Sequence, residues 1–166
     1  DANRYQAQPN FFYLRASGSH TWKYSSDAQL MLRLQSQFAG EPLISNEQFS
    51  IGGLDSVRGY YESESLGDLG AAATLEARTP SFSDSLGDAF QELRLRAFVD
   101  AGYARINDPL PDQLRSETLV SAGFGASLKA FGHFNGSVDV AKPLSSPNGR
   151  GRKPHGVEVG GRLWGV

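Results

Sequence analysis

Glu92-Leu93-Arg94-Leu95-Arg96-Ala97-Phe98-Val99-Asp100-Ala101-Gly102-Tyr103-Ala104-Arg105-Ile106 alternates two kinds of side chain with a period of two. Leu93, Leu95, Ala97, Val99, Ala101 and Tyr103 fall on one face of an extended chain, and Arg94, Arg96, Phe98, Asp100 and Gly102 on the other. The stretch therefore predicts a β-strand with one apolar and one mainly polar face over about 92–106.

The same period recurs on both sides of it. From Phe12 to Tyr24, Phe12, Leu14, Ala16, Gly18, Trp22 and Tyr24 oppose Arg15, Ser17, Ser19, Thr21 and Lys23, with His20 the one polar residue on the apolar face. From Ala28 to Phe38, Leu30, Leu32, Leu34 and Phe38 oppose Gln29, Arg33, Gln35 and Gln37. Further strands are predicted at about 71–79, 120–130, 134–142 and 156–166, which makes about seven. Residues 1–10 are a weak candidate for one more, because Pro9 and their polar character oppose a strand.

Connection lengths add a second signal. Ser25-Ser26-Asp27 and the turn at Gly132-His133 are short, whereas residues 40–70, 107–117 and 144–155 are long and rich in Pro, Gly, Asn and charge. Long and short connections alternate, as in barrels with long outer loops and tight periplasmic turns; Pro80 to Gln91 is longer than that scheme expects.

Composition bounds the reading. The chain has 166 residues, 39% hydrophobic and 20% charged, enough apolar surface for one ordinary domain. Mean hydropathy is −0.38, and no apolar run approaches the roughly 20 residues of a membrane helix. A membrane barrel is compatible with those values, since alternating strands average out to a soluble-looking hydropathy. A net charge of −2 argues against generic nucleic-acid binding, which needs a concentrated basic surface. There is no cysteine, hence no disulfide framework and no thiolate chemistry. Asp1-Ala2-Asn3-Arg4 does not open a signal sequence, so an envelope protein is expected here as a mature form or a fragment.

The long connection at 40–70 carries Glu47-Gln48-Phe49-Ser50-Ile51-Gly52-Gly53-Leu54-Asp55-Ser56-Val57-Arg58-Gly59-Tyr60, followed by Gly67-Asp68-Leu69-Gly70. Glycines at 52, 53 and 59 permit sharp reversals, and an arginine shielded from water needs an acceptor such as a carboxylate. This stretch resembles the loop signature of the Omp85 superfamily of outer-membrane barrels, and within it most resembles the transporter subunits of two-partner secretion, the haemolysin-activator or filamentous-haemagglutinin transporter type. Phe98-Val99-Asp100-Ala101-Gly102 is similar to the superfamily's Phe-x-Asp-x-Gly strand motif.

The resemblance implies an all-β fold, the antiparallel transmembrane β-barrel portion of a roughly sixteen-stranded barrel. It makes residues 1–166 the C-terminal part of that barrel, with the remaining strands and the periplasmic domains outside this chain. It also implies an in-lumen loop at about 40–70 with the motif Val57, Arg58, Gly59 and Tyr60. Arg58 would latch onto Asp100 of the strand motif Phe98, Asp100 and Gly102. The implied function is export of a partner exoprotein across the bacterial outer membrane, without catalysis or cofactor and driven by folding of the passenger outside. Outer-membrane lipid would be a further partner and nucleic acid none. Such barrels commonly end in an aromatic residue; this chain ends Leu163-Trp164-Gly165-Val166, and the next outward position follows Val166. The alternatives are a patatin-linked or barrel-assembly member of the same superfamily, or a soluble all-β binding module.

Other residues carry weaker signals. His20, His133 and His155 lie far apart and suggest no metal site, and no ordered triad or nucleophile elbow is present. Glu62, Glu64 and Asp68 read as solvated loop charges rather than cation ligands, and Arg150, Arg152 and Lys153 as an exposed loop rather than a lipopolysaccharide contact. Arg15, Lys23, Arg33, Arg94 and Arg96 either line a hydrated path or pair with Glu76 and Glu92. On the polar face Arg33, Arg94 and Ser121 are expected to meet water.

Overall fold

The computed structural model describes residues 12–82, 90–111, 113–131, 134–145 and 158–165, with Phe90 and 158–165 described by backbone only. Predictions that fall on residues 1–10, His133, His155 and the cluster Arg150, Arg152 and Lys153 lie outside that set.

Seven strands form one antiparallel sheet: β1 (Tyr13–Lys23), β2 (Gln29–Ala39), β5 (Leu69–Arg78), β6 (Phe90–Arg105), β7 (Ser116–Ala130), β8 (Phe134–Pro143) and β9 (Glu158–Gly165). They lie in chain order, every neighbour antiparallel, so among the described residues β1 and β9 are the edges. All seven predicted strands are present. The difference lies in the connection at 40–70, which has structure of its own: a 3-10 turn (Ser45–Glu47) and a short hairpin of β3 (Phe49–Ile51) with β4 (Ser65–Gly67). Strands of three residues are too short for alternation to reveal them in sequence. The connection after β5 is also tighter than Pro80 to Gln91 suggests, because Thr79 N–H donates to Leu95 O at 2.9 Å and Phe82 N–H to Leu93 O at 2.8 Å, continuing the ladder.

Burial runs opposite to that of a water-soluble protein. Phe38, Leu95, Val99, Phe124 and Val138 are exposed, whereas Glu76, Asp100, Arg94 and Ser121 on the other face are buried. A soluble sandwich buries its apolar face and wets its polar one. A barrel wall in lipid does the reverse. The soluble binding module is therefore set aside. Phe12, Leu14 and Phe38 mark one end of the apolar face, and Trp22, Tyr24, Phe131 and Phe134 the other. The 11 residues of β1 span about 36 Å along the strand, and a tilt of about 45° brings that to about 25 Å, the height of the apolar band of an outer-membrane barrel.

The polar face is not uniformly wet, and two expectations change. Arg94 is buried because its Nη1 donates to Asp27 O (2.8 Å) and Thr79 O (3.0 Å), and its Nη2 reaches Asp27 Oδ2 at 2.6 Å. Ser121 is fully buried rather than facing water.

Candidate functional site

Between β3 and β4 the chain folds back on itself. Gly53 N–H donates to Tyr60 O at 3.1 Å, and the Ser56 hydroxyl bonds both the N–H (2.9 Å) and the carbonyl (3.0 Å) of Gly52. Gly59 adopts φ 91°, a left-handed conformation that side chains disfavour, and this turns the chain immediately after Arg58. The Leu54 N–H is held by Glu62 Oε1 at 3.2 Å. The product is a compact tip that presents Val57, Arg58 and Tyr60 to the wall.

The wall beneath it is built in three successive rungs on the polar face. Thr74, Asp100, Ser121 and Pro143 pair across β5, β6, β7 and β8; next come Glu76, Phe98, Gly123 and Ala141; then Arg78, Arg96, Gly125 and Asp139. Arg58 lands on the first two rungs. Its Nε donates to Asp100 Oδ2 at 2.7 Å, its Nη2 to Asp100 Oδ1 at 2.9 Å and its own backbone N–H to Asp100 Oδ2 at 3.2 Å. Nη1 reaches Glu76 Oε2 at 3.0 Å. The guanidinium carbon stands 3.3 Å from the centroid of the Phe98 ring. A planar fork satisfies two carboxylates and stacks on an aromatic face at once, which an ammonium cannot do.

The second and third rungs complete the charge balance. Glu76 also accepts from Arg78 Nε at 2.7 Å, and Arg96 forms a two-bond pair with Asp139 at 2.7 and 2.8 Å. Asp139 Oδ2 stands 4.0 Å from Arg58 Nη1. Arg58, Arg78 and Arg96 thus meet Glu76, Asp100 and Asp139, three charges of each sign, so the cluster, buried at Arg58, Glu76 and Asp100, carries no net charge. Buried ion pairs survive only when each member is compensated in this way.

Apolar contacts and two further polar anchors fix the tip. Val57 and Ile51 are fully buried with Leu119, Tyr60 and Ala104, and a Cβ at Gly102 would lie 2.8 Å from Val57 Cγ2. Gly102 of the strand motif is therefore where the tip approaches the strand. The Tyr60 hydroxyl lies 2.8 Å from Val120 O and 2.7 Å from Ser145 O, joining the tip to β7 and the end of β8. At the base, Arg15 bonds Gln37 and the Glu47 carbonyl, and Tyr13 donates to Glu47 Oε2 at 2.7 Å. Arg94 pairs with Glu92 at 3.4 Å as well as with Asp27, Arg96 pairs with Asp139, and Glu76 takes Arg58 and Arg78 instead of Arg94 or Arg96.

Asp68 corrects its sequence reading. It is fully buried, not solvated, and its carboxylate accepts from Leu43 N–H (2.9 Å), Asn107 N–H (2.6 Å) and Gln48 Nε2 (3.3 Å), binding the 40–70 segment to the start of the next long connection. Sequence reasoning also gave Gly123 and Gly125 no role and expected Ser121 to meet water. A signal for the glycines existed: glycine inside a strand weakens it and marks a close approach. Among the described residues no group of three His, Asp or Glu side chains forms a metal-sized cluster.

The family model for the haemolysin secretion/activation protein ShlB/FhaC/HecB matches residues 1–129 of this sequence. The comparison with curated proteins found no match.

Proposed function

We propose, from the premise that the chain belongs to the ShlB/FhaC/HecB family of haemolysin secretion/activation proteins, that its wall lines the export pore and that the 40–70 loop is a latch seated in the lumen. The family's members are outer-membrane transporters of two-partner secretion, and a secreted exoprotein is the partner. The latch is the finer reading. It rests on one observation above all: Arg58 divides its guanidinium between Asp100 and Glu76, on two adjacent strands, while its ring partner Phe98 lies between them.

A loop held this way is locked strongly yet reversibly. Ion pairs, ring stacking and a small apolar seat hold the tip, and on this reading lumen water replaces the polar contacts as the passenger moves. On this reading Val57, Gly59 and Tyr60 shape the tip, and Phe98, Asp100 and Gly102 form its receptor. The edges β1 and β9 pair with strands outside this chain, since hydrocarbon tolerates no open edge, and outer-membrane lipid covers the apolar face. The test is export. Arg58→Ala is expected to insert normally, judged by heat-modifiable gel mobility, and to lose most secretion of the exoprotein. Secretion at the parental level in an inserted Arg58→Ala protein would overturn the latch.

A further inference from the structure

We infer that Ser121 biases the loop tip toward release, because its hydroxyl is deprived of a partner while the tip is seated. The inference rests on the latch reading above. Ser121 is fully buried, and its Oγ has no hydrogen-bond partner. It stands directly across β6–β7 from Asp100 and across β7–β8 from Pro143. The hydrogen bonds described for Asp100 all come from Arg58, from the backbone N–H at 3.2 Å, Nε at 2.7 Å and Nη2 at 2.9 Å. The carboxylate opposite Ser121 is thus engaged by the tip rather than by its cross-strand neighbour. The roof comes from the same segment: a Cβ at Gly59 would lie 3.2 Å from Ala141 Cβ and 3.4 Å from Pro143 Cδ, so the tip backbone lies close over this corner of the wall.

A buried hydroxyl without a partner costs its full desolvation penalty, and a native structure that keeps one calls for a reason. Here the penalty belongs to the seated state alone. Once the tip withdraws, the freed oxygens of Asp100 and incoming water both offer the hydroxyl an acceptor. Ser121 therefore opposes Arg58: the arginine holds the tip down, and the idle hydroxyl makes the seated state less stable than it would be with alanine at that position. Removing a group that makes no bond is expected to tighten the latch.

The chain has no cysteine, so one introduced in the buried face of the tip or beneath it reports its departure. Val57→Cys serves, with Leu119→Cys as a second reporter should the first fail to insert; both native side chains are fully buried. The intact protein in outer-membrane vesicles is labelled with a membrane-impermeant maleimide, and insertion of every variant is checked by heat-modifiable mobility. Added to the reporter, Ser121→Ala is expected to slow labelling about fivefold, the factor that about 1 kcal/mol corresponds to. Ser121→Gly, which also lacks the hydroxyl, should slow it too, and Arg58→Ala should speed it. An unchanged or faster rate in Ser121→Ala, with Arg58→Ala still faster than the parent, overturns the role of Ser121 and leaves the latch standing. Labelling of Arg58→Ala at the parental rate overturns the latch and this inference together.

Discussion

Phe98 and Gly123 face each other across β6 and β7, and a Cβ at Gly123 would lie 2.5 Å from Phe98 Cζ. The missing side chain leaves the ring room to lie against the wall, where its upper face supports the Arg58 guanidinium at 3.3 Å. Gly125 has the same relation to the next rung, where an added Cβ would collide with the Arg96–Asp139 pair. Glycine in these two places weakens the strand locally, and the loss is offset by the ring and the ion pair that it admits.

Gly123→Ala is therefore expected to displace both the Phe98 ring and the neighbouring strand at the Val140 carbonyl. Overpacking of this kind costs about 1–3 kcal/mol, seen as a lower temperature for conversion of the folded gel band. Phe98→Leu added to Gly123→Ala should recover part of that loss, since it relieves the ring contact but not the contact with Val140. A double variant that converts at a lower temperature than Gly123→Ala alone would show that the ring is not what fills the space.

Acid should loosen the turn between β1 and β2. The hydrogen bond from Arg94, then the Ser81 N–H, hold the Asp27 carboxyl below the usual carboxylate range. A depressed carboxyl pKa contributes stability that is present above the unfolded value, near 3.9, and is lost as pH falls through the folded value. Proteolysis at this turn is expected to rise below about pH 4, and Asp27→Asn should show the raised cleavage already at neutral pH. Cleavage of the parent that stays flat down to about pH 2 would remove Asp27 from any role in holding the turn.

What the sequence made legible follows from geometry. Period two survives in strands of ten residues or more, so Leu93 to Tyr103 and Phe12 to Tyr24 declare their faces without help. Register is not legible, because alternation is unchanged by a slip of two residues, and register decides that Phe98 meets Gly123 and that Arg96 meets Asp139. The meeting of Arg58 with Asp100 came to the sequence reading through family resemblance, since nothing in their spacing of 42 residues foretells it. Glu76 as a second acceptor for Arg58, and Asp68 as a buried anchor, depend on how the connection folds back over the wall. Composition is silent on that.

Spin labels at Leu32, Leu95 and Phe124 are expected to report hydrocarbon, because all three share the apolar face of the sheet. Labels at Ser17 and Ser19, on the polar face of β1 and exposed, are expected to report water. Ser121, on the polar face but beneath the tip, should give a label immobilised and shielded from water-soluble relaxants until the loop leaves. Relaxation by water-soluble agents at Leu95 and Phe124 as strong as at Ser17 would contradict a wall facing lipid.

Arg58 and Asp100 are expected to behave as one unit. Asp100→Ala leaves part of the guanidinium fork without its acceptor, and Arg58→Ala leaves a fully buried carboxylate without its donors. Each costs about 3 kcal/mol where the site is shielded, less where lumen water enters. The double variant should then lose little more secretion than either single one, because the second substitution removes a group already stranded. Arg58→Lys should not rescue, since an ammonium cannot span Asp100 and Glu76 while stacking on Phe98. Glu76→Gln should be milder than Asp100→Ala, because Arg58 keeps all its bonds to Asp100. Export measured across these variants at equal barrel insertion gives the coupling. Losses in Arg58→Ala and Asp100→Ala that simply sum in the double variant would mean that the two residues act separately in export, whatever their distance in the resting state.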